Sequence, residues 1–334
     1  QNMSFQAAKS VVRAHYAALA RATEASVIEA LSANTAASWQ WRGVHPFNTQ
    51  SGPGAVADVF WRPLIRAFSR IQRREDIFFA GKNEIDGFDT TWVVSMGHLM
   101  GLHDQPFLGI PPTRKIAMLR YAEFNQVERG AITQTALFVD LLHFMRQAGI
   151  QPIPSQTGMH LIQPGPATHD GLLRQDVSPI DSAKTLALIN RMIGDINNRQ
   201  IYATPEEELS QCWHDDMIWW GPEGIGATYT QSRYIEQHQR PFRAHLADRK
   251  FNGHIARLAE GNFGAFFGWP NLTLRPTGGF MGIPIGDEPT RTADMRVVDV
   301  YRRDGEKLAE NWIFIDMLHF LKMQGHDLLN EFVS

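Results

Sequence analysis

The sequence predicts an α+β protein built from two copies of one domain. The first observation is a long internal repeat: residues 140–144 read DLLHF, and residues 316–320 read DMLHF, 176 positions later. This distance is too long for a solenoid repeat and indicates a duplicated domain. The second observation is the order of the patterns. In each half, helical periodicity comes first and strand-like runs follow, which is typical of an α+β fold.

Length and composition narrow the class of protein. A chain of 334 residues has room for two domains of ordinary size. Its formal charge of −3 gives no basic excess, so a nucleic-acid partner is not expected. The single cysteine, Cys212, excludes an intrachain disulfide and a cysteine-rich metal site. No apolar run approaches the roughly 20 residues that cross a bilayer, and no signal-peptide core is present, so we expect a cytoplasmic protein without membrane contact.

The helices and strands of the first copy can be placed from side-chain patterns. Apolar residues at spacings of three and four predict helices over residues 4–31 and 55–68, the second kinked at Pro63. Runs rich in β-branched and aromatic residues predict four strands, at residues 77–80, 91–98, 115–124 and 131–139. A short helix over residues 141–147 should follow and end at Gly149.

The second copy begins after a segment rich in proline and glycine. We predict a first domain over residues 1–152, a linker over residues 153–176, and a second domain over residues 177–334. The second domain should open with helices over residues 182–197 and 205–212, the latter capped by Thr204.

Two motifs then carry a family resemblance. A Phe-x-Gly-Ile-Pro run followed by Thr-Arg occurs in both halves and ends at Arg114 and Arg291. The last predicted strand reads Glu310-x-Trp312-x-x-x-Asp316. Both motifs resemble the SnoaL-like polyketide cyclase branch of the nuclear transport factor 2-like superfamily, here as a tandem pair of roughly 130 residues each. The first half departs from the motif, since Gln134 and Ala136 replace the Glu and Trp while Asp140 is kept.

The resemblance implies both a fold and a chemistry. Each half would be a cone, in which a curved antiparallel sheet wraps around two or three N-terminal helices and leaves a deep pocket. The cyclases of the branch close a ring by an aldol reaction without metal or cofactor, and the family pattern gives the acid/base role to Asp140 and Asp316. Since single-domain relatives pair through the outer sheet face, the tandem chain would form an intramolecular pseudo-dimer, with a homodimer also possible.

Physical chemistry supports such a role for a carboxylate in a pocket. Loss of hydration in an apolar pocket raises a carboxyl pKa, which suits a general base that works near neutral pH. Strand alternation places Glu310, Trp312 and Asp316 on one face and Asn311 on the other. The alternative for Asp140 and Asp316 is simpler, because aspartate at a strand-to-helix junction is a common N-cap.

Further candidates differ between the halves. His45 and His98 could act as additional acid/base groups, and they occur only in the first copy. Aromatic, basic and amide side chains could bind the substrate: Trp41, His103, Arg114, Trp219, Trp220, Trp269, Arg291, Asn311 and Trp312. The alternatives are pocket-lining histidines without chemistry, metal ligands, core tryptophans and structural ion pairs. Because each half lacks groups that the other has, one half could be catalytic and the other structural.

Three functions remain open on the sequence alone. The first is a cofactor-independent acid/base enzyme of the cyclase, isomerase or dehydratase kind, acting on a small carbonyl compound. The second is a small-ligand-binding protein without turnover. The third is a metal-assisted hydrolase or lyase that uses the histidines of the first half. No glycine-rich nucleotide motif is present, so no nucleotide cofactor is expected.

Overall fold

The structure, a computed structural model, describes residues 4–285 and 290–333 and divides into two compact units. The first unit comprises residues 1–151, 167–176 and 327–334, and the second comprises residues 152–166 and 177–326. The segment predicted as a linker contains no helix, but it is not a free tether, because its first part belongs to the second unit and its last part to the first. The C-terminal residues also belong to the first unit, and not to the second as predicted.

The first unit begins with helices and continues as a sheet. Its helices are α1 (Gln6–Ala20), α2 (Val27–Ser32), α3 (Pro53–Val56), α4 (Arg62–Ala67) and α5 (Leu141–Gln147). Its strands are β1 (Thr35–Gly43), β2 (Asn48–Ser51), β3 (Phe68–Lys82), β4 (Thr91–His103), β5 (Ile116–Glu128) and β6 (Ala131–Val139). Among the described residues they form one sheet in the order β2-β1-β6-β5-β4-β3, antiparallel except for the β1–β6 pair.

Three local predictions need correction. The first predicted helix is two helices, α1 and α2. The helix predicted over residues 55–68 consists of α3, a π-helical turn (Ala57–Trp61) and α4, so the irregularity precedes Pro63. Strand β3 begins at Phe68, nine residues before the predicted strand. The prediction missed its start because residues 69–76 are polar except for Ile71, and so give little of the β-branched and aromatic pattern that indicates a strand.

The second unit repeats this plan. Its helices are α6 (Pro179–Asn197), α7 (Pro205–Ser210), α8 (Gln231–Tyr234), α9 (Arg240–His245) and α10 (Met317–Met323), while α11 (Leu328–Phe332) lies in the C-terminal segment of the first unit. Its strands are β7 (Trp213–Trp220), β8 (Ala227–Tyr229), β9 (Leu246–Phe251), β10 (Ala256–Glu260), β11 (Phe263–Pro276), β12 (Ala293–Asp304) and β13 (Lys307–Ile315). The predicted cap of α7 is confirmed, since the Thr204 hydroxyl accepts a hydrogen bond from the Glu207 amide at 3.1 Å.

The second sheet has the same topology as the first. Among the described residues its order is β10-β11-β12-β13-β7-β8, with β9 also paired to β11 and with β13 and β7 parallel. The register also repeats: Glu123 lies opposite Leu137 in the first unit, and Asp299 lies opposite Ile313 in the second, each 176 residues later. The α+β class and the duplicated architecture are therefore confirmed. No helix among the described residues is long and apolar enough to cross a membrane.

Candidate functional site

A cavity of about 190 Å³ lies within the second unit. Residues of α6, α7, α8 and α9 line one side, and alternate residues of β12 and β13 line the other. The walls are mostly aliphatic and aromatic. An engineered apolar cavity of about 150 Å³ accepts benzene, so this cavity has room for a small organic molecule.

Asp299 is the carboxylate that the sheet presents to this cavity. It lies on β12 between Val297 and Tyr301, which point to the same side, and all three line the cavity. Its Oδ1 accepts hydrogen bonds from Asn311 Nδ2 at 3.3 Å and from the Tyr301 hydroxyl at 3.2 Å. Among the described residues no donor reaches Oδ2, so this oxygen is available to a ligand.

The electrostatic environment sets Asp299 near the midpoint of its titration at neutral pH. Burial raises the pKa of the Asp299 carboxyl to about 7, while the hydrogen bonds from Asn311 and Tyr301 oppose this shift. A carboxyl with such a pKa exists in both protonation states near neutrality. It can therefore take up a proton and return it in one catalytic cycle.

Two histidines of the cavity wall are neutral and stack on aromatic rings. His238, in the π-helical turn (Ile235–Gln239), lies 3.8 Å from Trp219 between ring centroids, and His254 lies 4.0 Å from Phe266. Burial, with a smaller contribution from a neighbouring arginine, lowers the pKa of each imidazole to about 3. A neutral imidazole retains one N–H donor, so either ring can donate a hydrogen bond to a ligand oxygen.

The tautomer of His254 follows from its partner. The Arg257 guanidinium has only donors, and its Nη2 lies 2.9 Å from His254 Nδ1. Nδ1 is therefore the acceptor, and Nε2 carries the hydrogen of the neutral ring. His254 thus offers an N–H group on the wall of the same cavity as Asp299.

The equivalent position in the first unit is occupied by Glu123, which is buried and hydrogen-bonded through one carboxylate oxygen. Its Oε1 accepts hydrogen bonds from the Tyr16 hydroxyl at 2.5 Å and from Asn125 Nδ2 at 2.9 Å. Helices α1 and α6 align at an offset of 177, which pairs the fully buried Val12 with the fully buried Ile189. The same offset places Ile193 where the first unit has Tyr16.

Arg73 fills the interior of the first unit. Its guanidinium carbon lies 3.6 Å from the centre of the Tyr16 ring, 4.9 Å from that of Tyr121 and 5.9 Å from that of Trp61. All three rings have smaller counterparts on the cavity wall of the second unit: Ile193, Val297 and Gln239. Phe251 takes the place of Arg73 itself. These replacements explain why the second unit has an open cavity where the first has a closed polar network.

Asp140 and Asp316 cap helices in the structure. The Asp140 carboxylate accepts a hydrogen bond from the His143 amide at 3.1 Å, and the Asp316 carboxylate accepts one from the His319 amide at 3.3 Å. Each is buried and has an arginine partner: Arg120 lies 3.8 Å from Asp140, and Arg296 lies 3.3 Å from Asp316. Neither aspartate is among the residues that line the cavity. Their predicted acid/base role stays a prediction, and the capping alternative has direct geometric support.

The cavity lies on the side of the last strand opposite to the Glu-x-Trp motif. Asn311 lines the cavity, as do the next two residues of the same parity in β13. Trp312 points away, and its Nε1 donates to the Pro164 carbonyl at 3.0 Å. Trp219 lines the cavity, whereas Trp220, the next residue in β7, does not. Of the predicted substrate-binding residues, Asn311 and Trp219 are therefore placed in the cavity.

The histidine candidates of the first unit have different surroundings. His45 lies in the turn between β1 and β2. His98 is 5% exposed, and its Nδ1 lies 4.0 Å from Asp76. The His103 ring packs against the Phe144 ring, with 4.9 Å between the ring centroids. The contacts of His98 and His103 match the alternative of histidines without chemistry.

The other two candidates of the first unit have structural partners. Trp41 is buried and packs against Phe60. Arg114 has a 71% exposed side chain and pairs with Asp104 at 3.5 Å. Both contacts match the alternatives of a core tryptophan and a structural ion pair.

Two candidates of the second unit also have structural partners. The Arg296 guanidinium stacks over Trp269 at 4.0 Å, so the ring supports the arginine that pairs with Asp316. Arg291 lies on a separate surface depression beside α10, and its amide donates to Gln324 Oε1 at 3.3 Å. Neither Trp269 nor Arg291 lines the cavity that contains Asp299.

The metal-assisted alternative has no ligand set to support it in the part of the chain that the structure describes. Over residues 4–285 and 290–333, no three or more His, Cys, Asp or Glu side chains come together as a metal ion would require. His45, His98 and His103 do not form such a group.

Sequence reasoning missed Asp299, although a signal was present. A carboxylate interrupts the apolar strand at Asp299, and another does so 176 residues earlier at Glu123. That is the same offset that relates Asp140 to Asp316. A charged residue inside a buried strand, repeated in both copies, indicates a pocket as strongly as the terminal motif does.

Comparison with known proteins gives matches among solved structures. The chain is similar to a protein named as a candidate SnoaL-like polyketide cyclase from Jannaschia sp. CCS1, with 19% identity, a TM-score of 0.35, and coverage of 43% of this chain and 94% of that chain. It is similar to IdmH of Streptomyces antibioticus, named as a candidate polyketide cyclase, with 18% identity, a TM-score of 0.32, and coverage of 42% and 99%.

A third similar structure is a nuclear transport factor 2-like protein of Burkholderia xenovorans LB400, with 12% identity, a TM-score of 0.34, and coverage of 43% and 97%. Each of these structures covers about as much of the chain as one of its two copies. These names are of the same superfamily as the one that the two sequence motifs resemble. No family model matches the sequence, and no curated relative matches it.

Proposed function

We propose that the second unit is a cofactor-independent acid/base enzyme of the cyclase, isomerase or dehydratase kind, acting on a small carbonyl compound, with Asp299 as the general acid/base. The observation that carries this proposal is a carboxyl of pKa about 7 on the wall of a mostly apolar cavity. A structural carboxylate is normally paired with a cation. Among the residues that the structure describes, Asp299 is held only by neutral donors, Asn311 and Tyr301.

The reaction would begin at a C–H bond next to a carbonyl group. Asp299 Oδ2 takes the proton, and the electron pair of the C–H bond moves toward the carbonyl oxygen to give an enolate. A neutral donor of the wall, such as His254 Nε2–H, would stabilise the developing negative charge. The enolate carbon could then attack a second carbonyl carbon, and the oxygen of that carbonyl would take the proton from Asp299. A conjugated enolate could instead take the proton back from Asp299 at a different carbon. An enolate with a hydroxyl group on the β-carbon could expel it as hydroxide, which would take the proton from Asp299 and leave as water. These three outcomes correspond to cyclase, isomerase and dehydratase chemistry.

The hydrogen bonds to Oδ1 give Asn311 and Tyr301 a positioning role. They orient the carboxylate and favour its ionised form, which limits the upward pKa shift that burial produces. Without them the carboxyl would stay protonated to higher pH and would be a poorer base near neutrality.

The test is proton exchange in D₂O, because it detects the first step for any substrate with an acidic C–H bond. Small ketones, 2-oxo acids and 1,3-dicarbonyl compounds would be followed by proton NMR with the wild-type chain and with Asp299→Asn. We expect at least one compound to lose its C–H signal with the wild type only, while Asp299→Asn still binds it. Equal exchange by both proteins would exclude Asp299 as the base.

The second candidate function is a ligand-binding protein without turnover. The observation that favours it is the capping role of Asp140 and Asp316, whose carboxylates are engaged by helix amides and arginines. The same exchange experiment separates the two functions. A compound that binds in the cavity and shows no exchange with the wild-type chain, across the panel, supports the binding protein.

A further inference from the structure

The entrance to the cavity carries three arginines. Arg199 follows α6, Arg243 lies in α9 and Arg249 lies in β9, and all three line the cavity of the second unit. Arg199 and Arg249 are exposed, so the cavity opens to solvent on this side. Cationic side chains therefore surround the route by which a ligand would enter.

One of these arginines is already neutralised. Glu208 is 4% exposed, and both of its carboxylate oxygens lie 3.1 Å from Arg243 Nη2. The third acid of the wall, Asp195, accepts hydrogen bonds from the Tyr202 hydroxyl at 2.6 Å and from Cys212 Sγ at 3.4 Å, neither of which is cationic. The Glu208 carboxylate thus neutralises the positive charge of Arg243 and fixes the position of its side chain.

The Glu208 carboxylate acts on the other two arginines only through its charge, without a contact. Over the described residues, neither Arg199 nor Arg249 forms an ion pair, and Arg249 Nη2 donates only to the amide oxygen of Asn197, at 3.0 Å. The two side chains also act on each other electrostatically. Partial burial lowers the pKa of Arg249, and the positive charges of Arg199 and Arg243 lower it further.

Arg243, Arg249 and Glu208 have no charged counterpart in the first copy, whereas Arg199 aligns with Arg21. The repeat, at an offset of 178, aligns Arg243 with Ile65, Arg249 with Ile71 and Glu208 with Ala30. The copy with the open cavity thus has two arginines and their supporting glutamate where the closed copy has apolar residues. Since both copies share the fold and only one has these charged residues, the charged residues are not needed for the fold. Their presence in the copy with the cavity suggests that they serve the cavity.

We propose that Arg199 and Arg249, supported by the Glu208–Arg243 pair, bind an anionic group of the ligand, a carboxylate or a phosphate, while its apolar body enters the cavity toward Asp299. The proposal rests on the proposed function for the location of the substrate. It adds a substrate class, namely small organic anions with a carbonyl group. A guanidinium matches the geometry of both carboxylate and phosphate oxygens.

The experiment measures binding with matched probes by calorimetric titration at low ionic strength, where exposed charges are least screened. Phenylacetate is compared with the neutral phenylacetamide, and phenyl phosphate is compared with phenol. We expect at least one anion to bind about tenfold or more tightly than its neutral counterpart. The stronger of the two anions identifies the group. Equal binding of anions and neutral analogues would overturn the proposal.

Variants then locate the effect. Arg199→Gln combined with Arg249→Gln should remove most of the preference for the anion and leave the binding of phenylacetamide unchanged. Arg233→Gln is the matched control, because Arg233 has a 65% exposed side chain, does not line the cavity, and changes the net charge by the same amount per substitution. An equal loss in the control would assign the preference to overall charge and overturn the site.

The binding experiment and the proton-exchange experiment test the two proposals independently. If the anion preference is present and no compound exchanges a proton, the acid/base proposal is wrong and the anion site stands. If exchange depends on Asp299 and the anion preference is absent, the enzyme stands and the arginines have another role.

Discussion

Asp299 and Glu123 occupy the same register position in the two sheets, but Asp299 lines a cavity, whereas Glu123 is buried in a hydrogen-bonded network. Glu123 Oε1 receives the Tyr16 hydroxyl at 2.5 Å, whereas the residue aligned with Tyr16 in the second unit is Ile193, which has no polar group. The duplicated chain thus keeps a carboxylate in both copies and closes one of them with a tyrosine and an arginine. This difference is the reason for our proposal that a ligand binds in the second unit.

The pH dependence of exchange follows from the raised pKa of Asp299. A base must be ionised, and the carboxyl ionises as the pH rises through about 7. We therefore expect the exchange rate to increase with pH, with an apparent pKa near 7, and then to level off. Rates measured by NMR between pH 5 and about 9 would check this profile. A rate that is already constant from pH 5 upward would assign the base to a carboxyl with an ordinary pKa.

The raised pKa of Asp299 should also be visible in the pH dependence of protein stability, without any substrate. Its pKa is about 7 in the folded chain and 3.8 when the group is fully hydrated, as on unfolding, so the folded chain binds more protons than the unfolded chain between these values. The free energy of unfolding of the wild type should therefore fall as the pH rises through that window. Asp299→Asn removes this loss, which amounts to about 4 kcal/mol at most. Urea unfolding at pH 4 and pH 8 should show a stabilised variant at the higher pH only.

Closure of the cavity can be tested by copying the first unit. Ile193→Tyr places a phenol where Tyr16 lies in the first unit, beside the carboxylate. We expect ligand binding to weaken at least about tenfold, because the ring occupies cavity volume, while overpacking costs about 1–3 kcal/mol of stability. Titration of both proteins with a ligand that binds the wild type would measure the loss of affinity. Ile193→Leu, which adds no volume, should bind normally, and unimpaired binding by the tyrosine variant would place the ligand elsewhere.

The capping aspartates should affect stability and not chemistry. Asp316→Ala removes the N-cap of α10 and leaves Arg296 without its carboxylate, so the second unit should lose roughly 3–5 kcal/mol. Asp316→Asn keeps a capping side chain and should cost less. Urea unfolding measures both effects, and exchange assays on the folded asparagine variant should give the wild-type rate. Loss of exchange in that variant would restore Asp316 as the catalytic acid/base.

Residue patterns alone identified much of the fold. These patterns were the motif repeated at Asp140 and Asp316, the strand-like runs and the cap at Thr204. Each is defined by residues that are close together in the chain, so it can be recognised from the sequence. The same patterns placed Asn311 and Trp312 on opposite faces of one strand. They could not say which face is inside, because alternation defines two faces equally well.

The sequence by itself therefore determined that the protein is a duplicated α+β chain with matched aspartates, Asp140 and Asp316, in its two copies. Only the tertiary structure decided which copy is open and which carboxylate faces the opening. The physical reason is that the volume of a cavity is a sum over distant elements. Tyr16, Trp61 and Tyr121 come from three separate parts of the first half, and their rings meet around Arg73 only when the chain is folded.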